Sequence, residues 1–140
     1  MGFSLSLSRS LDTLGKLWTA PNTLIGILIG MAGIPFGARP RIGNNALQFI
    51  NYPIGIGALT LGNAVIYARG TAPADCCHLY GCEVALEIGK HEEAHTRQYQ
   101  VLGPFFLPVY FACGGVSARN PLEQAANAYA QGGRWWPWWP

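Results

Sequence analysis

Apolar residues near the start of the chain recur at helical spacing. Leu5, Leu7, Leu11, Leu14 and Trp18 follow one another roughly in steps of three and four, which predicts a short amphipathic helix over residues 1–20. Pro21 and Asn22 break it. Thr23 to Gly33 reads as a second, apolar helix, ended by "GIPFGARPRIG". The period then changes to two. "ALQFINY" alternates between Asn44-Asn45 and Pro53, and "ALTLGNAVIYA" follows, rich in Leu, Val, Ile and Tyr. With Gly55 and Gly57 between them, these runs predict a β-hairpin or small sheet. "RGTAPADCCHLYG" reads as loop. Helical spacing returns from about Cys82 to Leu102, where Val84, Ile88, His91, His95, Gln98 and Leu102 share one face. Gly103-Pro104 stops that helix, and Phe105 to Ala112 reads as a buried helix or irregular segment. "NPLEQAANAYAQGG" predicts a final helix: Asn120 suits the N-cap, Pro121 the first turn and Gly132 the C-terminal cap. The pattern is α+β. A single domain of 140 residues is expected, with apolar N-terminal helices over 1–40, a core over 41–131 and a Trp-rich tail over 132–140.

Composition changes this picture in one respect. Charged residues are 11% of the chain and apolar ones 50%, whereas an ordinary soluble domain carries about 25% charged residues. Part of the surface is therefore expected to meet lipid, a homo-oligomeric copy or a protein partner. The net charge of +2 is too small to imply nucleic acid. Charge is absent from Leu17 to Ala38, from Ile42 to Ala68 and from Val101 to Ala118. A membrane span needs about 20 predominantly apolar residues. The strongly apolar run Leu24 to Phe36 is short, so a buried or interfacial helix is the expectation. "RWWPWWP" suits a membrane–water interface, or packing on its own domain or a partner. Arg9 and Lys16 precede the apolar run with Asp12 between them, which is no clear secretory signal.

The four cysteines are Cys76, Cys77, Cys82 and Cys113. In "CCHLYGC" Cys82 could close a small disulfide loop with Cys76 or Cys77, or the cluster with His78 could bind a metal. Its spacing matches no standard zinc knuckle, which favours a disulfide or free thiols.

The chemistry concentrates in "KHEEAHTRQY". His91-Glu92-Glu93-Ala94-His95 fits H-E-x-x-H. On a helix, residues i and i+4 stand one above the other, so both imidazoles reach one metal ion from the same face. Glu92 then sits beside that ion, where it can take a proton from bound water. A third ligand must come from elsewhere, and Glu123 in "NPLEQAANAYA" is the candidate.

Over about residues 82–131 the chain resembles the gluzincin class of zinc peptidases, which carry H-E-x-x-H on one helix and a glutamate ligand on a following one. The resemblance implies His91, His95 and Glu123 as Zn²⁺ ligands and Glu92 as general base. Thermolysin-like members place an aspartate four residues after that glutamate to orient a ligand histidine. Here the position is Asn127, which can accept a histidine N–H without the charge. With Gln98 the motif extends to H-E-x-x-H-x-x-Q. It is similar to the compact domains of that pattern found in small bacterial proteins, some of which accompany secretion or toxin systems. Those domains place a short sheet against the motif helix.

Simpler roles stand beside these. Glu123 lies three residues after Asn120, which fits a capping box. His91 and His95 could belong to an exposed, salt-laced helix with Glu87, Lys90 and Arg97. Glu87 and Glu93 are expected in solvent, Glu83 near the helix N-terminus, and His78 in a loop. Gln98 either bonds near the site or packs. Tyr99, Tyr110, Tyr129 and Arg119 are the available donors for an oxyanion.

The expected function is that of a zinc metallopeptidase-like hydrolase, in which Glu92 activates a zinc-bound water for attack on a peptide bond. Its substrate would be a peptide or protein near a membrane or in the cell envelope. Two alternatives use the same residues differently: a non-catalytic membrane-associated or partner-binding protein, and a secreted toxin or effector domain with the same zinc site.

Overall fold

The computed structural model describes residues 2–78 and 83–138. Two helices open the chain, α1 (Gly2–Trp18) and α2 (Ala20–Ala32), followed by a 3-10 turn at Ile34–Phe36. Four strands form the main sheet: β1 (Arg39–Gly43), β2 (Ala46–Tyr52), β3 (Ala58–Leu61) and β4 (Ala64–Ala68). A two-residue pair, β5 (Cys76–Cys77) and β6 (Leu86–Glu87), leads into α3 (Ile88–Leu102). A 3-10 turn at Gly103–Phe105, α4 (Phe106–Ala112) and α5 (Pro121–Ala130) complete it. The α+β expectation holds.

The sheet runs in the order β1-β2-β4-β3. Asn44 and Asn45 both adopt positive φ, 48° and 59°, and join β1 to β2 through a tight two-residue turn of the kind asparagine tolerates. Gly62 starts the matching turn between β3 and β4 at φ 62°. Of the hairpin or small sheet expected across Gly55 and Gly57, the small sheet forms. β2 and β4 pair in parallel, with hairpins on either side of them. β1 was hidden because "RPRIG" carries polar, exposed positions and reads as loop.

β4 is buried at all five positions. The reason is that helices cover both sheet faces. Ala46, Val65 and Tyr67 pack with Ile88 of α3 on one side, and α2 lies on the other. A strand covered twice carries a continuous apolar run rather than an alternation, and "AVIYA" is such a run. α2 meets the sheet through Asn22, Gly26 and Gly30, its buried residues. A Cβ on Gly26 would come within 2.7 Å of Ala64, and one on Gly30 within 2.1 Å of the Phe49 ring. Small residues therefore face inward, and Leu24, Ile25, Leu28 and Met31 face out. α1 behaves alike: Gly15 lies against Gln100 of α3 while Leu11, Leu14 and Leu17 are exposed.

Several boundaries differ from the sequence reading. α3 begins at Ile88, not near Cys82, because Leu86 and Glu87 pair with Cys77 and Cys76. The first helical amides are taken by loop carbonyls: Ile88 N donates to Asp75 O at 2.9 Å and Gly89 N to Pro73 O at 2.8 Å. Val84 and Glu83 consequently lie outside the helix, exposed. Pro21 does not simply break α1; it occupies the first turn of α2, where its missing N–H costs nothing. Cys76, Cys77 and Cys113 are free thiols, while a pairing with Cys82 lies outside the described residues. Among those residues no single helix is long and apolar enough to cross a membrane. α1 and α2 together meet that length and composition but are bent by 66°.

The α2–sheet contact yields a first prediction. Gly30→Ala forces a methyl group into the Phe49 ring and should lower folding stability by about 1–3 kcal/mol, read as a reduced midpoint in urea denaturation. An unchanged midpoint would mean that α2 does not sit this close to the sheet.

Candidate metal centre

His91 and His95 project from the buried face of α3, one turn apart, at 1% and 6% exposure. They are not members of a solvated helix face. α5 supplies Glu123, 2% exposed. Its Oε2 stands 3.0 Å from His91 Nε2 and 3.4 Å from His95 Nε2, and the two Nε2 atoms are 3.1 Å apart. Glu123 does not close a capping box, since the Asn120 N–H donates instead to the Ser117 carbonyl at 3.0 Å. Asn120 alone caps α5, its Oδ1 accepting from Leu122 N at 3.0 Å. The turn that begins at Asn120 thus aims Glu123 inward.

Each group is held from behind. His91 Nδ1 lies 2.9 Å from Asn127 Oδ1, the contact expected of Asn127. His95 Nδ1 lies 2.9 Å from Gln98 Oε1. Gln98 Nε2 donates to the Leu122 carbonyl at 3.0 Å and the Trp135 carbonyl at 2.8 Å. Those two bonds fix the amide, so its oxygen faces His95 and the imidazole carries its hydrogen on Nδ1. Gln98 bonds rather than merely packs. The Tyr110 hydroxyl donates to Glu123 Oε1, which leaves Oε2 for the histidines. Oε2 is buried and faces the Nε2 atoms of the two imidazoles.

Lone pairs from three largely buried side chains thus converge, and a cation is the natural complement. A proton is one such cation. Burial opposes charge on His95, but the Glu123 carboxylate outweighs it and pushes the imidazole up to about 8. Burial likewise pushes the Glu123 carboxyl up, and bonds from His91, His95 and Tyr110 more than offset it. The carboxyl stays well below the usual range. A metal ion is the other candidate: His91, His95 and Glu123 form a buried group able to hold one.

The group opens into a cleft of about 160 Å³ bordered by β3, α3 and α4. Glu92, 8% exposed, lines it. Its Oε2 accepts from Thr60 Oγ1 of β3 at 2.5 Å. Thr60 was missed in the sequence; as the polar residue of "ALTL" it was the available signal. Of the four oxyanion donors considered, Tyr99 and Tyr110 line the cleft. Tyr129 bonds Glu93 Oε1 at 2.9 Å instead, and Arg119 is exposed beyond α4. Glu93 is half-buried rather than solvated, because Arg97 also reaches it at 2.8 Å. His78 stays in the loop after β5, exposed.

No family model, curated protein or solved structure matches the chain.

Backing groups of this kind tune metal affinity by roughly 10–100-fold. Gln98→Leu and Asn127→Leu should each weaken metal binding by about that factor while the chain stays folded, as measured by competition with a chromophoric chelator. Unchanged affinity in both would remove these amides from the site.

Proposed function

We propose that this chain is a zinc-dependent hydrolase acting on peptide bonds. The observation that carries this reading is the convergence of His91 Nε2, His95 Nε2 and Glu123 Oε2, with the Glu92 carboxylate lining the same cleft. Tetrahedral zinc with bonds of about 2.0–2.1 Å puts neighbouring ligand atoms about 3.3 Å apart. The three separations here, 3.0, 3.1 and 3.4 Å, bracket that value. Two imidazoles and one carboxylate, with a fourth side open to a cleft, are the donor set of catalytic rather than structural zinc.

Bound zinc would supply Lewis acidity, lowering the pKa of water and polarising a carbonyl. The residues provide the rest. Glu92 receives a proton from the attacking water and returns it to the leaving amine. Thr60 holds that carboxylate in one orientation. Asn127, Gln98 and Tyr110 keep the ligands from turning.

A peptide substrate is favoured by β3. It is an edge strand of the sheet, and Ala58, Leu59 and Thr60 border the cleft. An edge strand offers unpaired backbone groups that an extended peptide can match.

The test has two parts. Wild type should hold about one zinc per chain by elemental analysis, and His95→Ala and Glu123→Ala should lose it with their helical circular dichroism retained. Glu92→Gln should keep the metal yet cleave a peptide library at least about 100-fold more slowly. Wild-type cleavage by Glu92→Gln would overturn the proposed mechanism, and metal-free wild type after loading would overturn the zinc reading.

A further inference from the structure

We infer that the outward face of α1 and α2 is a seat for an anionic phospholipid surface, on which the domain lies without crossing the bilayer. The inference does not rest on the metal reading.

Its first support is the inversion already described. A helix of a water-soluble domain turns its large apolar residues inward. Here the inward side of α2 is Asn22, Gly26 and Gly30, while Leu17, Leu24, Ile25, Leu28, Met31 and Phe36 are 53–67% exposed. These six come from adjacent elements without a charge among them, since none occurs from Leu17 to Ala38. The patch continues through Trp18, whose ring lies 6.1 Å from that of Phe105, itself 61% exposed. Exposed apolar surface of this extent marks a binding face.

Its second support is charge, which selects the occupant. Residues 1–74 carry five basic side chains and the single acid Asp12; residues 75–140 carry four basic and six acidic. The net charges are +4 and −2. Asp12 is itself paired to Lys16 at 2.7 Å. The cations flank the charge-free run: Arg9 and Lys16 before it, Arg39 and Arg41 after it, all exposed. Arg69 reaches round to the Phe36 carbonyl at 3.0 Å. An aliphatic run flanked by exposed cations matches acyl chains below anionic headgroups. A second copy seated on the same face would set two +4 regions against each other.

The packing defines how the face is used. The inward side of α2 is closed against Leu61, Ala64 and Phe49, so lipid cannot surround the helix. The 66° bend lets the two helices lie along a surface instead.

The experiment is flotation of the purified full chain with vesicles of phosphatidylcholine alone or mixed with phosphatidylglycerol, at low salt. Wild type should float with the mixed vesicles and less with the neutral ones. The double variant Leu24→Glu/Leu28→Glu alters exposed residues only; it should retain its circular dichroism and lose at least ten-fold in vesicle binding. Wild type remaining at the bottom with both vesicles would overturn the inference, as would a double variant that floats like wild type. A concentration-dependent dimer, abolished by the double variant and formed without vesicle binding, would overturn it in favour of a second copy.

Discussion

The amide of Gln98 ties three parts of the chain to one imidazole. Its oxygen faces His95 Nδ1, and its nitrogen bridges the Leu122 carbonyl of α5 and the Trp135 carbonyl of the tail. Buried polar groups of this kind tolerate few rearrangements, because an unpaired donor in low dielectric is costly. The register between α3 and α5 is therefore set at the point where His95 must meet Glu123. Asn127, from α5, sets its amide oxygen against His91 Nδ1. Geometry at the three converging atoms follows from these amides, and the amides follow from how α3 lies between the sheet and α5.

That position is fixed from both ends. At its start, Gly89 fits only because it has no side chain, since a Cβ there would come within 2.8 Å of the Pro73 carbonyl. At its end, Gly103 adopts φ 55° with the Trp18 ring against it. Between them Asn45 donates to Thr96 at 2.9 Å and to Gln100 at 2.6 Å, fastening the β1–β2 turn to the helix. The twice-covered strand β4 is the floor beneath. α2 then closes the far face of the sheet with glycines, and its bulky residues are left outside.

How much of this was legible depended on whether a residue's partner lay at a regular spacing. His91, His95 and Glu92 were readable because one helix turn joins them. Glu123 was readable as a candidate third ligand and Asn127 only through the family resemblance, and choosing between ligand and cap for Glu123 needed the direction of a side chain. Thr60 gave only the weak sign of a hydroxyl in an apolar strand, because its partner is 32 residues away. β5 and β6 have two residues each, too few for any period to appear, so the start of α3 was placed too early. The parallel pairing of β2 with β4 was also hidden, since alternation records which face a residue takes and not which strand lies beside it. The spacing of leucines in α1 identified a helix correctly but gave no direction, and Leu7, Leu11 and Leu14 face away from the core.

The bond from Gln98 to the Trp135 carbonyl has a consequence for the order of events during synthesis. His91 and His95 leave the ribosome well before residue 135 does. Until Trp135 emerges, Gln98 lacks one of the two acceptors that fix its amide. A nascent chain that already holds both histidines therefore lacks the finished constellation. The pocket of three converging ligand atoms is thus closed by a residue of the tail, one of the last parts of the chain to be made.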